Sequence, residues 1–331
     1  MVDALQEWQV TGNVKSRIGH LLNTGLWTDC QFLVGTESNC KLIGAHKLIL
    51  CMSSPVFQAM LRGQLAENED TIQVPDIEPL IFEWLLKYIY TDDITKGSVD
   101  ETCKLYYAAD KYMFPIVKDH CLSQLLSVIN AKNVLQIYEF AKFYNNSTLI
   151  DKCLAYIESN AKTILNDESL MESQLNVIIE LFDRNSLCID SDLDLYRFLT
   201  KYATKHRLLP LDDMEAKEKN TNEIVDLKKS EIKLDGKNVV NFSEKTLGKS
   251  SKIVAKSEQG LPTIYDALKR IRFLTISVNN LAAELSKINL LTDTEAYQII
   301  MNILLPETGF PMPEGFSTSK RQRNPRRSTN H

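Results

Sequence analysis

The residues of this 331-residue chain best able to bind a metal or act as nucleophiles are seven cysteines and five histidines, and their spacing suits neither task. Cys30, Cys40, Cys51, Cys103, Cys121, Cys153 and Cys188 are odd in number and form no C-x-x-C pair, so neither a zinc cluster nor a disulfide framework is expected. They read as buried thiols of a reducing compartment. His20, His46, His120, His206 and His331 never fall in an H-E-x-x-H arrangement. No G-x-x-x-x-G-K-[ST], G-x-G-x-x-G or G-x-S-x-G sequence is present to cradle a phosphate or expose a nucleophilic serine. Asp29 as a general base would need a partner and a cleft, and the sequence supplies neither. The expectation is a chain that is not an enzyme and that takes no cofactor and no metal.

Composition fits that reading. Hydrophobic residues make up 44% and charged residues 24%, an ordinary globular balance long enough for about two domains. The formal charge of -5 gives no global case for binding nucleic acid. No apolar run is long enough for a membrane helix, and Asp3 and Glu7 stand where a signal peptide would be basic and then apolar. A cytoplasmic or nuclear chain is expected, with no membrane partner.

The elements that must position any site come in two styles. Asp29 to Val34 and Cys40 to Ile43 read as a hairpin, and Thr71 to Val74 alternates like a strand. Between them, His46 to Met52 is too apolar for a loop, and Ser53-Ser54-Pro55 supplies an N-cap and a proline for a second short helix. Helical spacing follows at Glu78 to Tyr90, from a capping box at Ser98-x-x-Glu101 through about Tyr112, and from Pro115 to Val128. After Asn130 strand signals cease. Helices are expected at about 131 to 144, 147 to 163, 172 to 183 and 191 to 205, with Val134, Ile137, Tyr138, Ala141 and Tyr144 on one buried stripe.

Residues 211 to 260 hold ten acidic and ten basic residues with Phe242 as their only aromatic, too little apolar surface to offset the entropy of ordering. Helical pattern returns at about Pro262 to Phe273 and at Asp293 to Leu304, so this charged stretch is read as a disordered insert within a domain. The last residues, Ser317 to His331, carry five cations and no acid and read as a disordered tail.

Four segments carry a resemblance to a known family. W-T-D-C-Q-F-L-V (Trp27 to Val34), A-H-K-L-I-L-C-M-S-S-P-V-F-Q-A-M-L (Ala45 to Leu61), L-L-K-Y-I-Y-T-D (Leu85 to Asp92) and L-Y-Y-A-A-D-K-Y (Leu105 to Tyr112) resemble the BTB/POZ domain in order and spacing. A-K-N-V-L-Q-I-Y-E-F-A (Ala131 to Ala141) and R-N-S-L-C-I-D-S-D-L-D-L-Y (Arg184 to Tyr196) are similar to the BACK domain that follows BTB in many adaptors. D-A-L-K-R-I-R-F-L-T (Asp266 to Thr275) resembles the end of BACK in the subfamily that leads into a Pam/highwire-type β-sandwich. Asp192 and Tyr202 replace the Glu and Trp usual there, and the chain stops where that β-sandwich would begin. The fold implied is an α+β BTB/POZ domain, a small sheet covered by helices, at 1–128, followed by an all-α BACK domain of helical hairpins at 129–209. The charged insert then spans 210–260, a BACK-like helical extension 261–316 and the basic tail 317–331.

The resemblance also implies roles. Val14, Ile18, Leu21 and Leu22 form the N-terminal stripe that would cross a partner's matching helix in a homodimer, the alternative being that it covers its own domain. Asp29 and Lys47 correspond to the Asp and the basic residue of the pocket at the dimer centre, where Asp29 would be buried and paired. Leu65-Ala66-Glu67 has the hydrophobic-x-Glu form by which such domains bind cullin-3, with Tyr112 at the same surface or, alternatively, in the core. The chain would then recruit an unidentified protein substrate to a ubiquitin ligase complex for protein ubiquitination. Two other readings stand beside it: a non-degradative transcriptional or cytoskeletal scaffold, and a truncated relative that forms mixed dimers with full-length adaptors. Lys320, Arg321, Arg323, Arg326 and Arg327 could serve as a nuclear import signal, but no motif supports direct sequence-specific nucleic acid binding.

Overall fold

The computed structural model describes residues 7–63, 71–208 and 262–319. They divide into two compact units, one ending at Leu154 and the other beginning at Ala155.

The first unit holds a three-stranded sheet in the order β2-β1-β3, built from β1 (Cys30–Val34), β2 (Lys41–Ala45) and β3 (Thr71–Val74). β1 and β2 form the expected antiparallel hairpin, with Phe32 opposite Ile43. β3 joins the other edge of β1 in parallel, with Phe32 opposite Ile72. That direction was not visible in the sequence, because it depends on the crossover made by α3 (Lys47–Ser53) and α4 (Pro55–Arg62). Cys30, Phe32 and Val34 are buried while Gln31 is exposed, so one face of the sheet meets the core.

Around the sheet lie α1 (Glu7–Thr11), α2 (Val14–Thr24), α5 (Pro79–Thr91), α6 (Val99–Lys111), α7 (Pro115–Ser127) and α8 (Val134–Phe143). Their ends follow local chemistry. Ser54 accepts from the N–H groups of Val56 and Phe57 with Pro55 in the first turn, and Ser98 and Glu101 form the reciprocal capping box read from the sequence. The centre is aromatic: Phe32, Phe57, Phe82 and Tyr112 touch one another, and the Phe57 and Tyr112 rings stack 4.2 Å apart at 9°.

Next along the chain come α9 (Ser147–Ser159), α10 (Ala161–Ile164), α11 (Glu168–Glu172), α12 (Leu175–Asp183), α13 (Leu193–Lys205), α14 (Ile264–Lys269), α15 (Val278–Leu285) and α16 (Asp293–Leu304). Two capping boxes, Thr263 with Asp266 and Thr292 with Glu295, start α14 and α16. The second unit joins α12 and α13 to the chain after residue 261. The Tyr196 hydroxyl donates to the Ile288 carbonyl at 2.9 Å and accepts from the Leu290 N–H at 3.3 Å, and Arg197 meets Glu284 at 2.8 Å. Buried Asp192, the residue at the usual Glu position, accepts from the Thr275 hydroxyl at 3.2 Å, and Arg272 donates to Asn185. The R-F-L-T segment therefore docks on the start of α13. The expected disordered insert at 210–260 and the basic residues Lys320 to Arg327 lie outside the described residues.

Candidate interaction surface

The chemistry of A-H-K (Ala45 to Lys47) is structural. The His46 N–H donates to the Tyr90 hydroxyl at 2.9 Å, His46 Nδ1 lies 2.8 Å from the same oxygen, and Nε2 lies 2.7 Å from the Leu26 carbonyl. A carbonyl only accepts, so Nε2 carries a proton, and in the neutral ring Tyr90 donates to Nδ1, which satisfies every group in the cluster. Burial raises the Tyr90 hydroxyl above its ordinary range and keeps it protonated for this bond. Neither ring nitrogen of His46 is left for proton transfer.

The burial expected for Asp29 concerns the centre of a dimer. In the single chain Asp29 is exposed, and its carboxylate accepts from the backbone N–H of Lys47 at 2.7 Å. It thus supplies the capping bond that His46, at the N-cap of α3, does not make. Lys47 contributes its main chain to this bond.

The N-terminal stripe is shared between two roles. Ile18 and Leu22 are half-buried against the core of their own unit, where α2 packs on α5, and Leu21 is half-buried too. Val14 is exposed, together with Val10 and Trp27. Trp27 has the left-handed φ of 63°, and its ring stands 6.0 Å from Trp8, which stacks on His20 at 4.4 Å. The N-terminal face therefore offers aromatic and aliphatic surface beyond what its own domain covers.

Of the two places expected for Tyr112 the structure gives the core: it is fully buried, with its ring against Phe57 and Phe82. Its carbonyl is what matters locally, accepting from the Ser54 hydroxyl at 2.7 Å. Ser54 thereby ties the junction of α3 and α4 to the α6–α7 turn. On the two sides of this tie Met52 is 75% exposed and Met113 59% exposed, the latter at φ 61°, followed by exposed Ile116. Sequence reasoning missed these three, since apolar residues within strongly apolar runs look like core; the one signal was the break in helical spacing at Met113. Leu65 and Glu67 lie outside the described residues.

The thiols are inert where they are buried. Burial pushes Cys30, Cys103, Cys121 and Cys153 up to about 12, far from a reactive thiolate. Cys40 and Cys188 are exposed, against the expectation that all seven would be buried, because both sit in connections between elements. Among the described residues no cluster of His, Cys, Asp and Glu could hold a metal ion, and no helix is long and apolar enough to cross a membrane.

Comparison with known proteins agrees with the geometry. Residues 18–127 match the model of the BTB/POZ domain, and residues 134–212 match that of BACK, the "BTB And C-terminal Kelch" family. The chain is 33% identical over 181 residues to BTB/POZ domain-containing protein 6-B of Danio rerio, covering 54% of this chain and 37% of that protein. It is 30% identical to BTB/POZ domain-containing protein 3 of Homo sapiens over 54% of this chain and 34% of that protein. The matched part thus spans about a third of the length of these relatives.

Proposed function

We propose, for a chain that carries a BTB/POZ domain followed by a BACK domain, that it acts as a homodimer bringing a protein substrate to a cullin-3-type ubiquitin ligase. The coarser part of this reading follows from the family itself: proteins of this arrangement are protein-interaction adaptors, and their domains are not enzymes. The observation that carries the finer part is the tandem order of the two domains, BTB at 18–127 and BACK from 134. Exposed Met52, Met113 and Ile116 support it, because they form apolar surface on elements held in place by the Ser54–Tyr112 bond. Leu65 would add an apolar anchor and Glu67 a hydrogen-bond acceptor. The chemistry of ubiquitin transfer would belong to the recruited ligase. Exposed Val10, Val14 and Trp27 favour a paired chain, in which two copies raise the effective concentration of each bound partner.

The test is capture of the purified cullin-3 N-terminal domain by the intact chain, with molar mass read by light scattering. A two-to-two complex is expected, lost when Leu65→Ala and Glu67→Lys are combined while the dimer persists. A clean dimer that ignores cullin-3, or undiminished capture by the double variant, rejects the cullin assignment.

A further inference from the structure

We propose that the exposed face of α16 binds an amphipathic helical segment of a partner protein, one with basic residues at both ends of its apolar stripe. At 100° per residue, Tyr297, Ile300, Met301 and Leu304 share one side of this helix with Asp293, while Ile299 points the opposite way and is fully buried. The inward side is satisfied: Glu295 caps the helix through the Thr292 N–H at 2.8 Å and accepts from the Tyr265 hydroxyl. The outward side is only partly covered, with Ile300 and Met301 half-buried. Tyr297 is 53%, Leu304 56% and Leu305 45% exposed, and Phe310, whose ring lies 5.8 Å from that of Tyr297, prolongs the surface past the helix end. Twelve residues of helix make a strip about 18 Å long, suited to three turns of a partner helix.

Charge selects the occupant. From Ile288 to Ser319 there are four carboxylates and no lysine or arginine. Asp293 stands at one end of the strip and Glu307 just beyond the other, both exposed and with no ion-pair partner among the described residues. A second copy would meet like charge in either direction: Asp293 against Asp293 if parallel, Asp293 against Glu307 if antiparallel. An anionic lipid surface is disfavoured for the same reason. An apolar helix with Lys or Arg at both ends fits both features. The two family models cover 18–127 and 134–212, so this face lies outside what they account for. It gives an adaptor a partner-reading surface separate from its BTB domain.

The test uses the intact chain and a fluorescent helical peptide of about 14 residues with a leucine stripe and two lysines at each end, beside a twin with glutamates for lysines. Anisotropy should show the lysine peptide binding at least about tenfold tighter, with the preference shrinking as salt rises. Tyr297→Ser with Leu304→Ser should weaken it by about tenfold or more, and Asp293→Lys with Glu307→Lys should reverse the preference between the peptides. Equal binding of the two peptides, or a serine double variant that binds as well as the parent, overturns the proposal. So does a fall in the molar mass of the intact chain caused by the serine variant, which would show the face covered by a second copy. Cullin-3 capture is expected to survive all four substitutions. Loss of that capture through Leu65 and Glu67, with peptide binding intact, bears only on the ligase assignment.

Discussion

The two units join distant parts of the chain by different means. In the first, the meeting of α4, α5, α6 and the sheet is made chiefly by rings, with Phe57 against Phe32, Phe82 and Tyr112 and the Ser54–Tyr112 bond beside them. In the second, the chain on either side of residues 209–261 is joined by apolar packing and, in addition, by directed polar bonds between residues 80 to 94 positions apart, from Arg272 N–H to Asp192 through Leu290 N–H to the Tyr196 hydroxyl. Apolar packing is non-directional and sets compactness, whereas hydrogen bonds have geometry and set alignment. The entropy of closing a loop grows only with the logarithm of its length, so a long intervening stretch is tolerable where the two sides recognise each other. The polar ties of Asp192, Tyr196 and Arg197 supply that recognition.

This contrast can be broken by substitutions whose effects should fall in order. Phe57→Ala, which empties the centre of the aromatic cluster, should cost about 3–5 kcal/mol and remove hydrogen-exchange protection from β1, β3 and α4 through α7. Equal loss of protection in α12 and α13 would show that the units do not open separately. Asp192→Ala should cost less, about 1–3 kcal/mol, since it strips the Arg272 N–H of an acceptor at a buried position and leaves the Thr275 hydroxyl only the Arg272 carbonyl. Its signature is early exchange in α14 and the following turn; unchanged protection there would mean that the Asp192 bonds do not align the second unit.

The smallest effect concerns acid. Burial alone would raise the Asp76 carboxyl, but hydrogen bonds from Lys111 and the Tyr107 hydroxyl outweigh it and hold the group below its ordinary value of 3.8. A depressed carboxyl contributes stability above the unfolded value and loses it as pH falls through the lower folded value. The side chain is 38% exposed, so screening keeps this near or below about 1 kcal/mol. The melting temperature of Asp76→Asn should lie below that of the parent near neutral pH and converge with it below about pH 4. A gap that stays constant with pH would assign the loss to packing. Glu284 of the second unit, where Arg197 and Lys287 outweigh burial in the same direction, is only 11% exposed and should give the larger pH-dependent gap.

Much of this was legible because it is local. The Ser98–Glu101 capping box, the Pro55 helix start, β3 and α16 stand where spacing placed them, since caps and periodicity act within a few residues. α11 and α15 were not foreseen: short helices bury few residues and leave little periodic signal. The capping bond of Asp29 and the choice between core and surface for Tyr112 were not legible, for a shared reason. Each depends on a partner far along the chain, the N–H of Lys47 and the ring of Phe57, that a single segment does not reveal. The apolar face of α16 escaped attention because a helix apolar on both sides reads as core from its sequence.

The tryptophans have an optical consequence. Trp8, packed on His20, and exposed Trp27 both belong to the first unit, as does Trp84, whose indole lies against the backbone of Gly97. The chain has three tryptophans, so the second unit is free of indole. Emission excited at the red edge of the absorption band therefore follows only the sheet-bearing half of the molecule, while far-ultraviolet dichroism is weighted by helices from both. A single sample, read at two wavelengths, carries separate clocks for the ring-packed and the bond-aligned parts.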